Sequence, residues 1–148
     1  MLSLLLSLIV IFAENLIAYG NLNISAKHPS TLEITKDSYL TPSGDCIVGI
    51  SSNRSPCDFS SDFITACQNE DSEIIAKLTI GPHTQFISGR GHPDLTFKNA
   101  HSAVIRTSDY VDDRTIMVHS DTAAKNIDRT IIGILQNGHQ LSISLTVL

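Results

Sequence analysis

A chain of 148 residues with 42% hydrophobic and 17% charged residues has the make-up of one globular domain and excludes an intrinsically disordered segment. A net charge of −5, ten Lys and Arg scattered singly and only 5% aromatics supply neither a phosphate-neutralising stripe nor a stacking platform, which argues against nucleic acid as a partner. Cys46, Cys57 and Cys67 are odd in number and lack CxxC spacing, which excludes a complete intrachain disulfide framework and points to reduced thiols in the cytoplasm.

Met1 to Ala13 (MLSLLLSLIVIFA) is apolar except for Ser3 and Ser7. It is shorter than the ~20 residues that span a bilayer and has the length of a signal h-region, but no Lys or Arg precedes Lys27. Three readings stand: a leader that exports the protein or ties it to a membrane, a start-site extension, or a strand or short helix added to the domain. The domain proper is expected over residues 14–148, in one piece, since no linker, repeat or low-complexity tract divides it.

Beyond the leader, period-two alternation predicts strands over residues 21–27, 31–35 and 46–50. A helix over 58–68 follows, with Phe59, Phe63, Ile64 and Cys67 at helical spacing. Strands are then expected at 74–80, 84–88, 95–97, 103–106 and 115–118. A second helix is predicted from Ser120 to Gln136, capped by Ser120 or Asp121, supported by an Asp121–Lys125 pair and stopped by Gly138. Leu141, Ile143, Leu145 and Val147 mark a final strand. This order predicts a mainly β fold: an antiparallel β-sandwich or distorted jelly roll with two flanking helices.

Polar groups interrupt the strands at three places. Asp45-Cys46 follows the turn Thr41-Pro42-Ser43-Gly44; Asp45 either fixes that corner or serves as an acid/base, and Cys46 as a nucleophile would need a lowered pKa. In Gly89-Arg90-Gly91-His92-Pro93, two glycines allow a tight turn or close ligand approach, and His92 is a candidate acid/base or metal ligand. Arg106 emerges from the apolar run Val104-Ile105 and needs an anionic partner, either a ligand or one of Glu33, Asp45, Asp109, Asp112 and Asp113; Arg114 poses the same choice.

The first reading of these groups is a pocket for a small anionic metabolite. Arg106, His92 and the amides of Gly89 and Gly91 would line it, with Asp109 and Arg114 alongside and Asp45 orienting. The second is a small-molecule hydrolase or lyase using His92 and Asp45 as acid/base, assisted by Cys46 or a metal. The third is a homo-oligomer or partner-binding protein whose polar motifs only fix turns. No HxH or HExxH pair identifies a metal site, and no motif identifies a cofactor.

The blocks LTPSGDCIVGI, GRGHPDL and AVIRTSDYVDDRTIMVHSDTAAKNIDR, with ENLIAYGNLNISAKHPSTLEITKD before them, resemble an archaeal protein family known as domain of unknown function 371. The resemblance implies a small sandwich-type β domain with no established activity. It places Glu33, Asp45, Cys46, His92, Arg106, Arg114 and Asp128-Arg129 on matching motif positions. Members tend to carry Gly-His early in the domain, where this chain has Gly20-Asn21, so no role passes to that position. The resemblance begins at Glu14, which makes Met1 to Ala13 an addition.

Overall fold

The computed structural model describes residues 11–148. Among the described residues, eight strands form two four-stranded sheets, β1 (Phe12–Tyr19), β2 (Thr31–Thr35), β3 (Ile47–Gly49), β4 (Glu73–Ile80), β5 (His83–Arg90), β6 (Ser102–Arg106), β7 (Thr115–Met117) and β8 (Gln140–Val147). The first sheet has the order β1-β8-β4-β5 and is antiparallel throughout. The second has the order β3-β2-β6-β7, and only its central β2–β6 pair is antiparallel; the outer pairs β2–β3 and β6–β7 are parallel. The predicted sandwich is therefore present, with a mixed second sheet.

The two sheets are stitched at both edges. Tyr19 and Ile50 exchange two backbone hydrogen bonds of 2.8 Å, and Arg90 and Val118 exchange two of 2.7 and 3.0 Å. These bridges partly cover the edge strands, which would otherwise offer unpaired backbone groups. Inward residues alternate as the sequence requires. Leu16 and Ala18, Ile74 to Ile80 at every second position, and Leu141 to Val147 at every second position face Leu32, Ile34, Val48, Ile105 and Met117. Phe59, Phe63 and Phe97 close one end as an aromatic cluster, with ring centroids 5.5 to 6.0 Å apart.

Among the described residues, two short α-helices flank the sheets. The first, α1 (Ser61–Cys67), starts where Ser60 Oγ accepts the Phe63 N–H at 3.2 Å. The second, α2 (Arg129–Leu135), starts where Asp128 Oδ1 accepts the Thr130 N–H at 2.7 Å. Gly138, at φ +82, donates its N–H to the Leu135 carbonyl and ends it, as predicted.

Four expectations are corrected. The second helix does not begin at Ser120: Ser120 Oγ accepts the Thr122 N–H in a local turn, and the Asp121 carboxylate accepts the Ser88 N–H of β5 instead of facing Lys125. Only a 3₁₀ turn at Ala124–Asn126 precedes α2, because Ile127 is extended. Residues 21–27 are not a strand: Ala26 sits at φ +47, and side chains of Arg129 and Gln136 satisfy the carbonyls of Ile24, Ser25 and Ala26. Residues 95–97 are likewise irregular, with Phe97 at φ +55 and the Leu95 carbonyl bound to Gln68 Nε2. In their place stands β1, whose Phe12 and Ala13 pair with Val147 and Thr146, so the apolar leader assigned to residues 1–13 overlaps the sheet by two residues. The rest of that leader, residues 1–10, lies outside the described residues. Among the described residues no helix is long and apolar enough to cross a membrane.

Candidate functional site

Arg106 and Arg114 converge on one carboxylate. Arg106 donates to Thr115 Oγ1 at 2.8 Å and to Asp112 Oδ2 at 3.0 Å, and its guanidinium stacks on Tyr110 with 4.8 Å to the ring centroid. Arg114 grips the same Asp112 oxygen with Nη2 at 2.8 Å and Nε at 3.1 Å, and reaches Glu33 at 3.4 Å. Burial alone would raise the Asp112 carboxyl, but hydrogen bonds from the Arg114 side chain and backbone, with the charges of Arg106 and Arg114, outweigh it and hold it at about 2. Burial raises the Glu33 carboxyl, only partly offset by Arg114. Arg106 and Arg114 thus find their anionic partner within the chain, in the Asp112 carboxylate.

The glycine loop is structural as well. A side-chain carbon at Gly89 would overlap Met117 and the Val118 carbonyl, and one at Gly91 would overlap the carbonyl oxygens of Cys67 and Asn69. Gly91 serves close packing of backbone on backbone, and Gly89 makes room for the Met117 side chain and the Val118 carbonyl. The amides are spent too: Arg90 donates to Val118 at 2.7 Å, Gly91 to Ser72 at 3.0 Å and His92 to Cys67 at 3.0 Å. Gly91→Ala is therefore expected to lower stability by about 1–3 kcal/mol, as overpacking does; an unchanged denaturant midpoint would refute the close-packing role.

The residues expected to share a cleft do not bond to one another. His92 Nδ1 accepts the Asp94 N–H at 3.0 Å, closing its own turn. Asp45 acts through its backbone, its carbonyl accepting the N–H groups of Lys27 and His28 at 3.0 and 3.1 Å. Asp109 is exposed in the loop after β6, with no side-chain hydrogen bond among the described residues. Burial, and then the Glu33 charge, push the Cys46 thiol up, the opposite of what a thiolate nucleophile needs. All three cysteines are free, and burial pushes Cys67 up to about 12. Among the described residues no three His, Cys, Asp or Glu side chains gather as a metal site.

The open space lies elsewhere, around the start of α2. One cleft of about 460 Å³ is lined by Ala26, Lys27, Lys125, Ile127, Asp128 and Arg129. The fold assembles it from two segments: the Lys125 N–H bonds to the His28 carbonyl at 3.1 Å, and Asp45 holds Lys27 and His28 from behind. Arg129 is fixed by carbonyls alone, donating to Ile127, Ser25, Ala26 and Ala124 at 2.9 to 3.2 Å. Among the described residues no carboxylate lies within ion-pair distance of Lys27, Lys125 or Arg129. Elsewhere Lys36, Arg54, Arg106 and Arg114 are ion-paired, while Lys77, Arg90 and Lys98 also have no carboxylate within that distance among the described residues. Asp128, the one acidic residue in the lining, spends an oxygen on the Thr130 N–H that caps α2.

Lys27 stood out in no sequence motif, Lys125 only as the expected helical partner of Asp121, and Arg129 only through the resemblance. The signal within reach was Lys125 and Arg129, four apart. On one continuous helix that spacing reads as a solvated face.

A family model described as "Domain of unknown function (DUF371)" matches residues 16–148. Over 130 residues the chain is 40% identical to "Uncharacterized protein MJ0206" of Methanocaldococcus jannaschii, across 88% of this chain and 96% of that protein.

Proposed function

The chain belongs to the DUF371 family, whose description assigns no activity, and from that premise we propose that it binds a small anionic ligand in the cleft between Lys27 and the 125–129 segment. The observation that carries this reading is three cations without carboxylate partners around one cleft of a protein whose net charge is −5. An isolated surface cation is unremarkable, but three lining one open cleft raise the local potential and favour an anion there. Arg129 contributes a fixed charge, since its carbonyl partners orient the guanidinium without neutralising it. Lys27 and Lys125 carry ammonium groups on flexible stems that close on the ligand.

Calorimetric titration with inorganic phosphate tests the reading. Binding is expected for the full chain, weakened at least tenfold in Lys125→Ala and in Lys27→Ala, whose exposed side chains hold no tertiary contact the fold needs. The affinity should also fall as salt rises, because exposed charge is screened over about 10 Å at 0.1 M. Equal affinity in both variants, or no heat with any of the three proteins, would overturn it.

A further inference from the structure

The cleft continues into a second cavity of about 420 Å³ that shares Lys27 and Arg129 with it and adds Asn23, Ser25, Gly133 and Gln136 among its lining residues. Resting on the anion-binding reading, we infer that the ligand is a phosphomonoester with hydroxyl groups. Its phosphate sits at Lys27, Lys125 and Arg129, and its hydroxyl-bearing part lies in this second cavity.

Three observations support that division. First, the two cavities share Lys27 and Arg129, so a ligand anchored at the cations can extend along Arg129 into the second space. Secondly, the side-chain amides of Asn23 and Gln136 are oriented by their nitrogen ends, which donate to the Leu40 carbonyl at 2.7 Å and the Ile24 carbonyl at 2.8 Å. Their Oδ1 and Oε1 atoms accept no hydrogen bond among the described residues, which leaves two placed acceptors on the cavity wall. A partner for them must carry donors, as hydroxyl groups do and a bare phosphate dianion does not. Thirdly, Gly133 lies inside α2, where glycine is less favourable than alanine. Neither a positive φ nor packing requires it: a side-chain carbon built there meets nothing within 4 Å. Its missing side chain keeps the cavity open.

The same glycine supplies the test, because a larger side chain at 133 enters empty space without disturbing the core. Inorganic phosphate, glycerol 3-phosphate, ribose 5-phosphate and adenosine monophosphate are titrated into the full chain and into Gly133→Leu. At least one ester is expected to bind tenfold or more tighter than inorganic phosphate. Gly133→Leu should erase that advantage, leave phosphate affinity unchanged and melt no lower than the parent. The ester that gains most distinguishes a sugar phosphate from a nucleotide. Should Gly133→Leu fail to fold, Gly133→Gln, whose polar end reaches solvent, carries the same comparison. Esters no tighter than phosphate, or an advantage that survives both substitutions, would overturn this inference while leaving the anion site standing. Absence of phosphate binding in the parent would overturn both.

Discussion

Replacing Asp112 by alanine is expected to destabilise the protein by about 3 kcal/mol or more, because one carboxylate serves two guanidinium groups. The Arg106 side chain is only 10% exposed and the Asp112 side chain 23%. Removing Asp112 leaves Arg106 with Thr115 Oγ1 and the Tyr110 ring, neither of which offsets a desolvated charge. Asp112 also accepts the Arg114 N–H and the Thr115 hydroxyl, so the turn into β7 loosens at the same time. Chemical denaturation of the parent and variant measures the difference; a loss under about 0.5 kcal/mol would show that the pair is not load-sharing in the folded state.

The same carboxylate sets an acid dependence. Its folded-state value of about 2 lies below its ordinary 3.8, so its contribution is fully present above pH 3.8 and is lost as the pH falls towards 2. A shift of that size corresponds to stability on the order of 2 kcal/mol. Glu33 works in the opposite sense: its raised carboxyl stabilises the fold below its ordinary 4.5, and that contribution is lost as the pH rises through its folded value. Asp112→Asn should therefore flatten the stability profile between about pH 4 and 2 relative to the parent.

Ile143→Ala should cost about 2–5 kcal/mol, the usual range for truncating a buried aliphatic side chain. Ile143 lies in β8, between β1 and β4, opposite Leu16 and Leu78. It is 3% exposed and packs into the shared core, so the surrounding sheets cannot collapse into the space it leaves. Ser142, Ser144 and Thr146 alternate with it towards the other face, which fixes the register of the strand. A denaturant midpoint within error of the parent would mean that the inward positions are not packed as the alternation requires.

Strands such as β4 and β8 were legible because their alternation reflects a half-buried face, and physics leaves no other use for Ile74, Ala76, Leu78 and Ile80. The same alternation at Leu22, Ile24 and Ala26 misled. The carbonyls of Ile24, Ser25 and Ala26 are satisfied by Arg129 and Gln136, more than a hundred residues away, and no local pattern encodes a side chain standing in for a strand. The need of Arg106 for a carboxylate was also legible, since a buried cation requires one, but the choice of Asp112 over Asp45 or Asp109 is set by the loop geometry between β6 and β7. Gly89 and Gly91 show a different limit: a glycine that admits a ligand and one that admits a neighbouring carbonyl read identically. Lys27, Lys125 and Arg129 meet only because residues 21–30 leave the ladder and α2 starts late.

The most direct test of the account is to locate an added anion by backbone amide NMR during titration with inorganic phosphate. Saturable shifts centred on Ala26, Lys27, Lys125 and Arg129, with Arg106, Arg114 and the Gly89–His92 loop unmoved, are the expected result. Shifts centred instead on Arg106 or the glycine loop, or no saturable shifts at the 125–129 segment, would contradict it.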